Sequence, residues 1–216
     1  MVNVKVCFVE LVIGGAMVFY HYDRLSALSP GQKVELSRDY CKLGSQAEGV
    51  PVVLSEMFPE GLSMHGYHYL DVFVSESLIG VAGAESLSYA LRELPSFQIE
   101  WNLELVRRAL YPELPSRCQS IFCLESVEEF LDWPELMTGE GQLVETLVPD
   151  NGKCITLDSR MLGGGFLMHG DGVLTGSLPA DYGQAKRYWS GEVSQAPRFE
   201  IVAELPVAVG RVIDRF

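Results

Sequence analysis

The sequence predicts an α+β fold in which most strands belong to antiparallel sheets. Short runs of β-branched and aromatic residues recur along the 216 residues, as is typical of strands. Only a few segments have helical spacing, and strands that alternate with a few helices favour the α+β class. With 48% hydrophobic and 21% charged residues, the composition is that of a globular protein with ample material for a core.

Charge and cysteine content narrow the class of protein. The formal net charge of −13 argues against a broad phosphate-binding surface, because affinity for nucleic acid comes mainly from Lys and Arg. Acidity also keeps a protein soluble, which is the simpler explanation. The five cysteines are an odd number without a CxxC pair, and they predict reduced thiols in a cytoplasmic protein.

The N-terminal residues resemble a short signal sequence, since Val6 to Tyr20 is largely apolar and follows Lys5. Glu10 interrupts this stretch, no small-residue cleavage site follows, and the stretch is too short to span a bilayer. We therefore predict a cytoplasmic protein with no membrane contact. Residues 1–16 are interpreted as an N-terminal extension and residues 17–216 as a single domain.

The first part of the chain reads as short strands and turns. It comprises a strand at Val18–Asp23, a turn at Leu28–Gln32, a short strand at Lys33–Leu36, a loop over residues 40–56 and a glycine-rich segment at Phe58–Gly66.

The clearest amphipathic helix comes next, after a mixed pattern from Tyr69 to Leu94. Its apolar face is predicted from the helical spacing of Ile99, Leu103, Val106 and Leu110. Charged residues are expected on the opposite side, namely Glu104, Arg107 and Arg108.

Residues 115–133 form the stretch around which the chain is organised. Ser120–Leu124 has the composition of a buried strand. Ser126 and Glu129 then have the spacing of a capping box, which predicts a helix after that strand. Arg117 and Gln119 lie at the start of this unit, where polar side chains can point into a cleft.

The remaining elements are predicted from alternation and turn residues. They are strands at Gln142–Val148, 153–158, Phe199–Leu205 and Val207–Ile213, a helix at Tyr182–Trp189, and a tight turn at residues 163–165 that lacks the Lys-Ser/Thr of a phosphate loop.

Several motifs in this order resemble a known family. They are Tyr20-His21-Tyr22-Asp23-Arg24, Phe58-Pro59-Glu60-Gly61 through His65-Gly66, Leu105-Val106-Arg107-Arg108, Pro115–Phe122, Tyr188-Trp189-x-Gly191 and Phe199-Glu200. Together, over residues 17–214, they resemble an uncharacterised bacterial family, a domain of unknown function, within the ADP-ribosyltransferase superfamily.

The resemblance implies a fold of two packed, mostly antiparallel sheets with flanking helices and a cleft that binds NAD as co-substrate. It implies that His21 holds the adenosine ribose, and that Ser120 and Phe122 pack on the nicotinamide. The other residues expected at NAD are Tyr20, Tyr22, Arg24, Arg117 and Gln119.

The third motif of the superfamily is a glutamate on a late strand, and two acids compete for this role. A carboxylate that binds the ribose and stabilises an oxocarbenium-like centre lowers the barrier to cleavage of the nicotinamide–ribose bond. We favour Glu200 and keep Glu192 as the alternative. The competing interpretations are a half-exposed strand acid in water for Glu200, and a surface or acceptor-recognition loop for Glu192.

The function that follows from the resemblance is an NAD-dependent mono-ADP-ribosyltransferase, an enzyme of the glycosyltransferase class. It would be a toxin or phage-defence effector that modifies nucleic acid or protein and needs a neutralising partner. An NAD glycohydrolase and a catalytically inactive interaction module are the alternatives. Arginine is not the expected acceptor, because no Glu-x-Glu is present. We predict no metal site, because His65, His68 and Asp71 lack a further ligand at characteristic spacing.

Overall fold

The structure is a computed structural model that describes residues 15–40, 49–70, 83–136, 140–163, 166–168, 174–176 and 178–216. Within these ranges it contains two antiparallel sheets, a short hairpin and four α-helices, so the predicted α+β class is confirmed. No helix among these residues is long and apolar enough to cross a membrane.

Four strands form the first sheet, and all of their pairings are antiparallel. They are β1 (Ala16–Asp23), β2 (Lys33–Val34), β4 (Gln142–Pro149) and β9 (Val207–Arg215), in the spatial order β1-β4-β9-β2.

The second sheet has three strands, also antiparallel. They are β3 (Ser120–Cys123), β5 (Cys154–Asp158) and β8 (Phe199–Glu204), in the order β3-β8-β5. A separate hairpin, which the sequence patterns did not predict, pairs β6 (Phe166–Met168) with β7 (Leu174–Gly176).

The four α-helices of the described residues are α1 (Val50–Met57), α2 (Met64–Leu70), α3 (Gly83–Leu110) and α4 (Leu178–Trp189). The loop prediction for residues 40–56 is wrong where α1 forms; residues 41–48 lie outside the described part. Gly49 has a φ of 87° at the start of α1, Pro51 lies in its first turn, and Leu54 is buried. The β-branched valines concealed this helix, because they lower helix propensity.

The predicted helix at residues 99–110 is the C-terminal part of α3, but its charged face was assigned to the wrong side. Glu104 and Arg107 are buried, because Glu104 accepts hydrogen bonds from Arg107, Arg108 and Ser116. Buried charges are tolerated when they are paired in this way.

The second sheet separates two hydrophobic cores. Along β8, Ile201 and Ala203 face the first sheet, whereas Val202 faces α3 and α4, as the twofold alternation of a strand requires. Glu200 shares the face of Val202 and therefore lies on the helical side. In the helical core, Trp189 is fully buried and donates a hydrogen bond from Nε1 to the carbonyl of Leu103 (2.8 Å), which joins α4 to α3.

The two sheets meet where β1 runs beside β3. Tyr20 and Leu124 exchange backbone hydrogen bonds of 3.0 and 2.7 Å. This bridge places His21, next along β1, within reach of the backbone of β3.

The helix predicted after Ser126 is a short 3₁₀-helix, Glu128–Asp132. Ser126 Oγ accepts from the backbone N–H of Glu129 (3.3 Å), as the capping box predicts, while the Glu129 carboxylate binds the N–H of Glu125 (3.0 Å). Trp133 and Pro134 follow at once, and a proline restricts the helical conformation of the residue before it.

Candidate functional site

Arg117 is a buried cation at the centre of a charged network. It begins the 3₁₀-helix Arg117–Gln119 that leads into β3, and only 4% of its surface is exposed. Its Nε and Nη2 donate to the Glu100 carboxylate on α3 at 2.8 to 3.2 Å. Its Nη1 donates to Tyr188 on α4 (2.6 Å) and to Glu200 on β8 (2.7 Å).

Glu200 is held on one of its two oxygens. Oε1 accepts from Arg117 and from the Tyr188 hydroxyl (2.9 Å), and neither of these hydrogen bonds involves Oε2. The carboxylate is buried, so the interpretation of Glu200 as a half-exposed acid in water is wrong.

The charges of this network shift the pKa values of its members. Burial, the largest cause, would raise the pKa of Glu100, but the charge of Arg117, with the adjacent His65 and the hydrogen bonds from Arg117, outweighs it and holds that pKa well below its usual range. Burial, the largest cause, raises the pKa of Tyr188 well above its usual value. At neutral pH, Glu100 is therefore ionised and Tyr188 is a neutral hydrogen-bond donor.

Two contacts extend the network onto the ring of Phe122. The Arg117 guanidinium lies 4.4 Å from the ring centroid, and the His65 ring lies 4.4 Å away from it as well. His65 also contacts the ring of Tyr69 (4.5 Å), and its Nε2 is 3.3 Å from Glu100 Oε2. That Nε2 is buried without an aligned hydrogen bond, so the contact with Glu100 is one of charge and proximity.

Helix α2 docks closely on the backbone of the Arg117–Gln119 helix, which brings His65 to Glu100. Ser63 donates from its backbone N–H and from Oγ to the Cys118 carbonyl, at 2.9 and 3.0 Å. Ser63 Oγ also accepts from the N–H of Gly66 (3.2 Å) and so caps α2. A Cβ at Gly66 would lie 2.3 Å from the Cys118 carbonyl oxygen, so only glycine allows this approach.

His21 reaches the same region from the first sheet. Its Nδ1 is 2.8 Å from the carbonyl oxygen of Phe122. A carbonyl oxygen only accepts, so Nδ1 carries the proton of the neutral ring and Nε2 is left as an acceptor. Burial lowers the pKa of His21, because it outweighs the opposite effect of this hydrogen bond. The lowered pKa favours the neutral ring.

The structure therefore brings together four of the residues predicted from sequence, namely His21, Arg117, Phe122 and Glu200.

The other predicted residues lie elsewhere. Ser120 Oγ is bonded to the Ser116 carbonyl (2.7 Å). Tyr20 and Tyr22 pack in a cluster around Phe130, and Arg24 is exposed at the end of β1. Glu192 is an exposed acid paired with Arg187 (2.6 Å), which lowers its pKa.

Gln119 belongs to a surface groove of about 510 Å³ that contains none of the other predicted residues. Its amide donates to the Gly61 carbonyl (3.0 Å). The groove is lined by Glu35, Leu36, Arg38, Glu60, Gln119, Glu204, Leu205 and Pro206.

Three members of the network escaped the sequence prediction, namely His65, Glu100 and Tyr188. A usable signal existed for Glu100, because Glu100, Leu103, Glu104 and Arg107 follow the i, i+3, i+4, i+7 spacing of a buried helix face. Tyr188 is buried, with 1% of its surface exposed. Its hydroxyl group binds Glu200, 12 residues further along the chain, and only the folded structure reveals this contact. His65 belongs to the motif at Phe58–Gly66 and to the rejected metal set with His68 and Asp71, and Asp71 lies outside the described residues.

The family comparison covers nearly the whole chain. Residues 19–215 match the model of a family described as a protein of unknown function, DUF2441. The chain belongs to the DUF2441 family. A comparison with curated proteins finds no match. Family membership thus assigns no activity to this DUF2441 protein, and a functional argument has to come from the site.

Proposed function

We propose that this DUF2441 protein is an NAD-dependent mono-ADP-ribosyltransferase with Glu200 as its catalytic acid. The observation that supports this proposal is the contact between the three strands that carry the expected motifs. His21 on β1 binds the Phe122 carbonyl on β3, and β3 pairs with β8, which carries Glu200. Arg117 lies against the Phe122 ring and binds Glu200. The side chains of His21 and Arg117 therefore link the three motifs.

The chemistry of these groups suits cleavage of the nicotinamide–ribose bond. The neutral His21 ring offers Nε2 as a directional acceptor for a ribose hydroxyl. Glu200 Oε2 would bind a hydroxyl of the nicotinamide ribose and stabilise positive charge at its C1′ carbon. Arg117 and Tyr188 keep the carboxylate in one orientation through Oε1, and preorganisation of this kind lowers the barrier because no reorganisation is needed during the reaction.

A catalytically inactive module with this fold is the second candidate, and one specific observation favours it. Arg117 binds both Glu100 and Glu200 in a buried network, and such a network also serves as a purely structural connection between α3, α4 and β8. The acceptor, a role as toxin or phage-defence effector, and a neutralising partner stay predictions from the resemblance.

Release of nicotinamide from NAD tests the proposal. Wild type, Glu200→Gln and Glu192→Gln are incubated with NAD and followed by chromatography, alone and with cell extract, RNA or DNA. Glu192→Gln is the matched control, because it also removes a carboxylate that is paired with an arginine, but at the surface. We expect Glu200→Gln to slow release by about 10²- to 10³-fold, the usual effect of removing one preorganised electrostatic contact. Glu192→Gln should retain the wild-type rate.

The outcomes separate the candidates. A mass gain of one ADP-ribose on an acceptor supports the transferase, and release without any acceptor identifies an NAD glycohydrolase. A loss confined to Glu192→Gln transfers the catalytic role to Glu192. If wild type neither binds nor cleaves NAD, the enzyme proposal is wrong and the inactive module is the better explanation.

A further inference from the structure

His65 differs in accessibility from the charged groups with which it is linked. About 18% of its side chain is exposed, whereas the side chains of Glu100, Arg117 and Glu200 are exposed by 5 to 7%. The imidazole ring contacts the rings of Tyr69 and Phe122. Arg117 also packs on the Phe122 ring. Of the side chains linked to Arg117 and Phe122, His65 is thus well placed to meet a ligand.

The two ring nitrogens of His65 have different surroundings. Nε2 is buried and faces Glu100 Oε2 at 3.3 Å. Nδ1 is the second ring nitrogen, on the edge of the ring that does not face Glu100. A carboxylate beside one imidazole nitrogen selects the tautomer with the proton there, which leaves the second nitrogen as a base.

Glu100 suits the role of the carboxylate in such a pair. It is ionised, because its contact with Arg117 keeps it charged despite burial. The imidazolium that forms when His65 takes up a proton at Nδ1 would lie 3.3 Å from the Glu100 carboxylate. The ring is held by two aromatic contacts and by α2, which Ser63 and Gly66 join to the backbone of Cys118.

We propose that His65 is the proton acceptor of the reaction and that Glu100 is its positioning residue. This inference rests on the proposed function. The bond between C1′ of the ribose and the nicotinamide nitrogen breaks, and nicotinamide leaves as a neutral molecule with the bonding electron pair. An oxygen of water or of an acceptor hydroxyl forms the new bond to C1′, and its proton passes to His65 Nδ1. The substrate class is therefore a hydroxyl nucleophile, and no oxidation or reduction occurs.

Nicotinamide release with water as acceptor gives the test, with His65→Ala compared with His68→Ala. His68 is the matched control, because it is a histidine on the same helix that contacts Tyr69 and Phe97 and is exposed. We expect His65→Ala to slow release by about 10²-fold, as is typical when a general base is lost, and His68→Ala to keep the wild-type rate. Added imidazole should restore much of the lost rate, whereas pyrazole, which has the same shape but is a far weaker base, should not.

Equal rescue by both compounds would show that the ring only fills space, and rescue by neither would show that an added base does not replace the side chain; either result would overturn the inference. So would a wild-type rate in His65→Ala. If His65→Ala does not fold, His65→Asn replaces it, and an unchanged rate in that folded variant would also overturn the inference. For Glu100→Gln, assayed at equal concentrations of folded protein, we expect a lower kcat with little change in the KM for NAD, and a wild-type kcat would overturn the positioning role. A wild-type protein that releases no nicotinamide would instead contradict the proposed function itself.

Discussion

Replacing Arg117 with methionine should destabilise the fold strongly, because two buried carboxylates would lose their shared cation. Arg117 donates all of its described hydrogen bonds to Glu100, Tyr188 and Glu200. The side chains of Arg117 and both glutamates are at most 7% exposed, so solvent screens these charges little. Breaking a buried pair by removing one partner costs about 3–5 kcal/mol.

Thermal unfolding and urea titration measure this effect. For a chain of this size, about 3–5 kcal/mol corresponds to a fall in Tm of roughly 6–20 °C. Arg24→Met is the matched control, because Arg24 is an exposed arginine at the end of β1, and its replacement should change stability by no more than about 0.5 kcal/mol.

The pH dependence gives the sharper criterion. In Arg117→Met, burial raises the pKa of Glu100 and the arginine charge no longer opposes it, so the carboxylate can take up a proton in the folded state. The difference in stability from wild type should therefore shrink between pH 7 and pH 5. A loss below about 1 kcal/mol at pH 7, or a loss that does not change with pH, would refute the reasoning that the network is desolvated.

Four further predictions concern single residues. Gly66→Ala should lower the urea midpoint by the equivalent of about 1–3 kcal/mol, because its Cβ would clash with the Cys118 carbonyl. Gly183→Ala within α4 meets nothing within 4 Å and should instead stabilise by about 0.5–1 kcal/mol. The stability that Glu100 contributes is present above its unfolded pKa of 4.5 and is lost as the pH falls through its lower folded pKa, so the gap between wild type and Glu100→Gln in urea titrations should narrow below pH 4.5. Since the folded pKa of His21 is below 6.5, the unfolded state binds a proton first, and wild type should lose stability relative to His21→Gln as the pH falls below 6.5; parallel titrations would contradict this.

Strand prediction succeeded where local pattern and tertiary burial agree. β1, β3, β4, β5, β8 and β9 all coincide with predicted segments, because β-branched and aromatic residues alternate along them. α1 and α2 were missed for the opposite reason. On α1, Val52 and Val53 are exposed, so the local pattern does not match the burial. The position of α2 depends on the docking of Ser63 and Gly66 on Cys118, and Ser63 and Cys118 are 55 residues apart in the sequence.

The candidate site was predictable only in part. His21, Arg117, Phe122 and Glu200 were found through motifs, and the fold brings them together. Glu100 was not found, because a glutamate on an amphipathic helix is normally solvated, and its partner Arg117 is supplied 17 residues later by another element. Periodicity places Glu100 on the buried face of the helix, but the burial of a charge depends on a partner, and the helix alone does not reveal that partner.

The charge balance of the network connects its stability with its proposed chemistry. Glu100 and Glu200 carry two negative charges and Arg117 one positive charge, so the three groups have a net charge of −1 when both acids are ionised. A proton taken up by His65, which is 3.3 Å from Glu100, balances this charge. A transition state in which positive charge develops at a ribose and a proton moves to His65 would be stabilised by the same excess. The excess negative charge that makes the buried network costly before a ligand binds is, on this argument, what would favour the reaction after it binds.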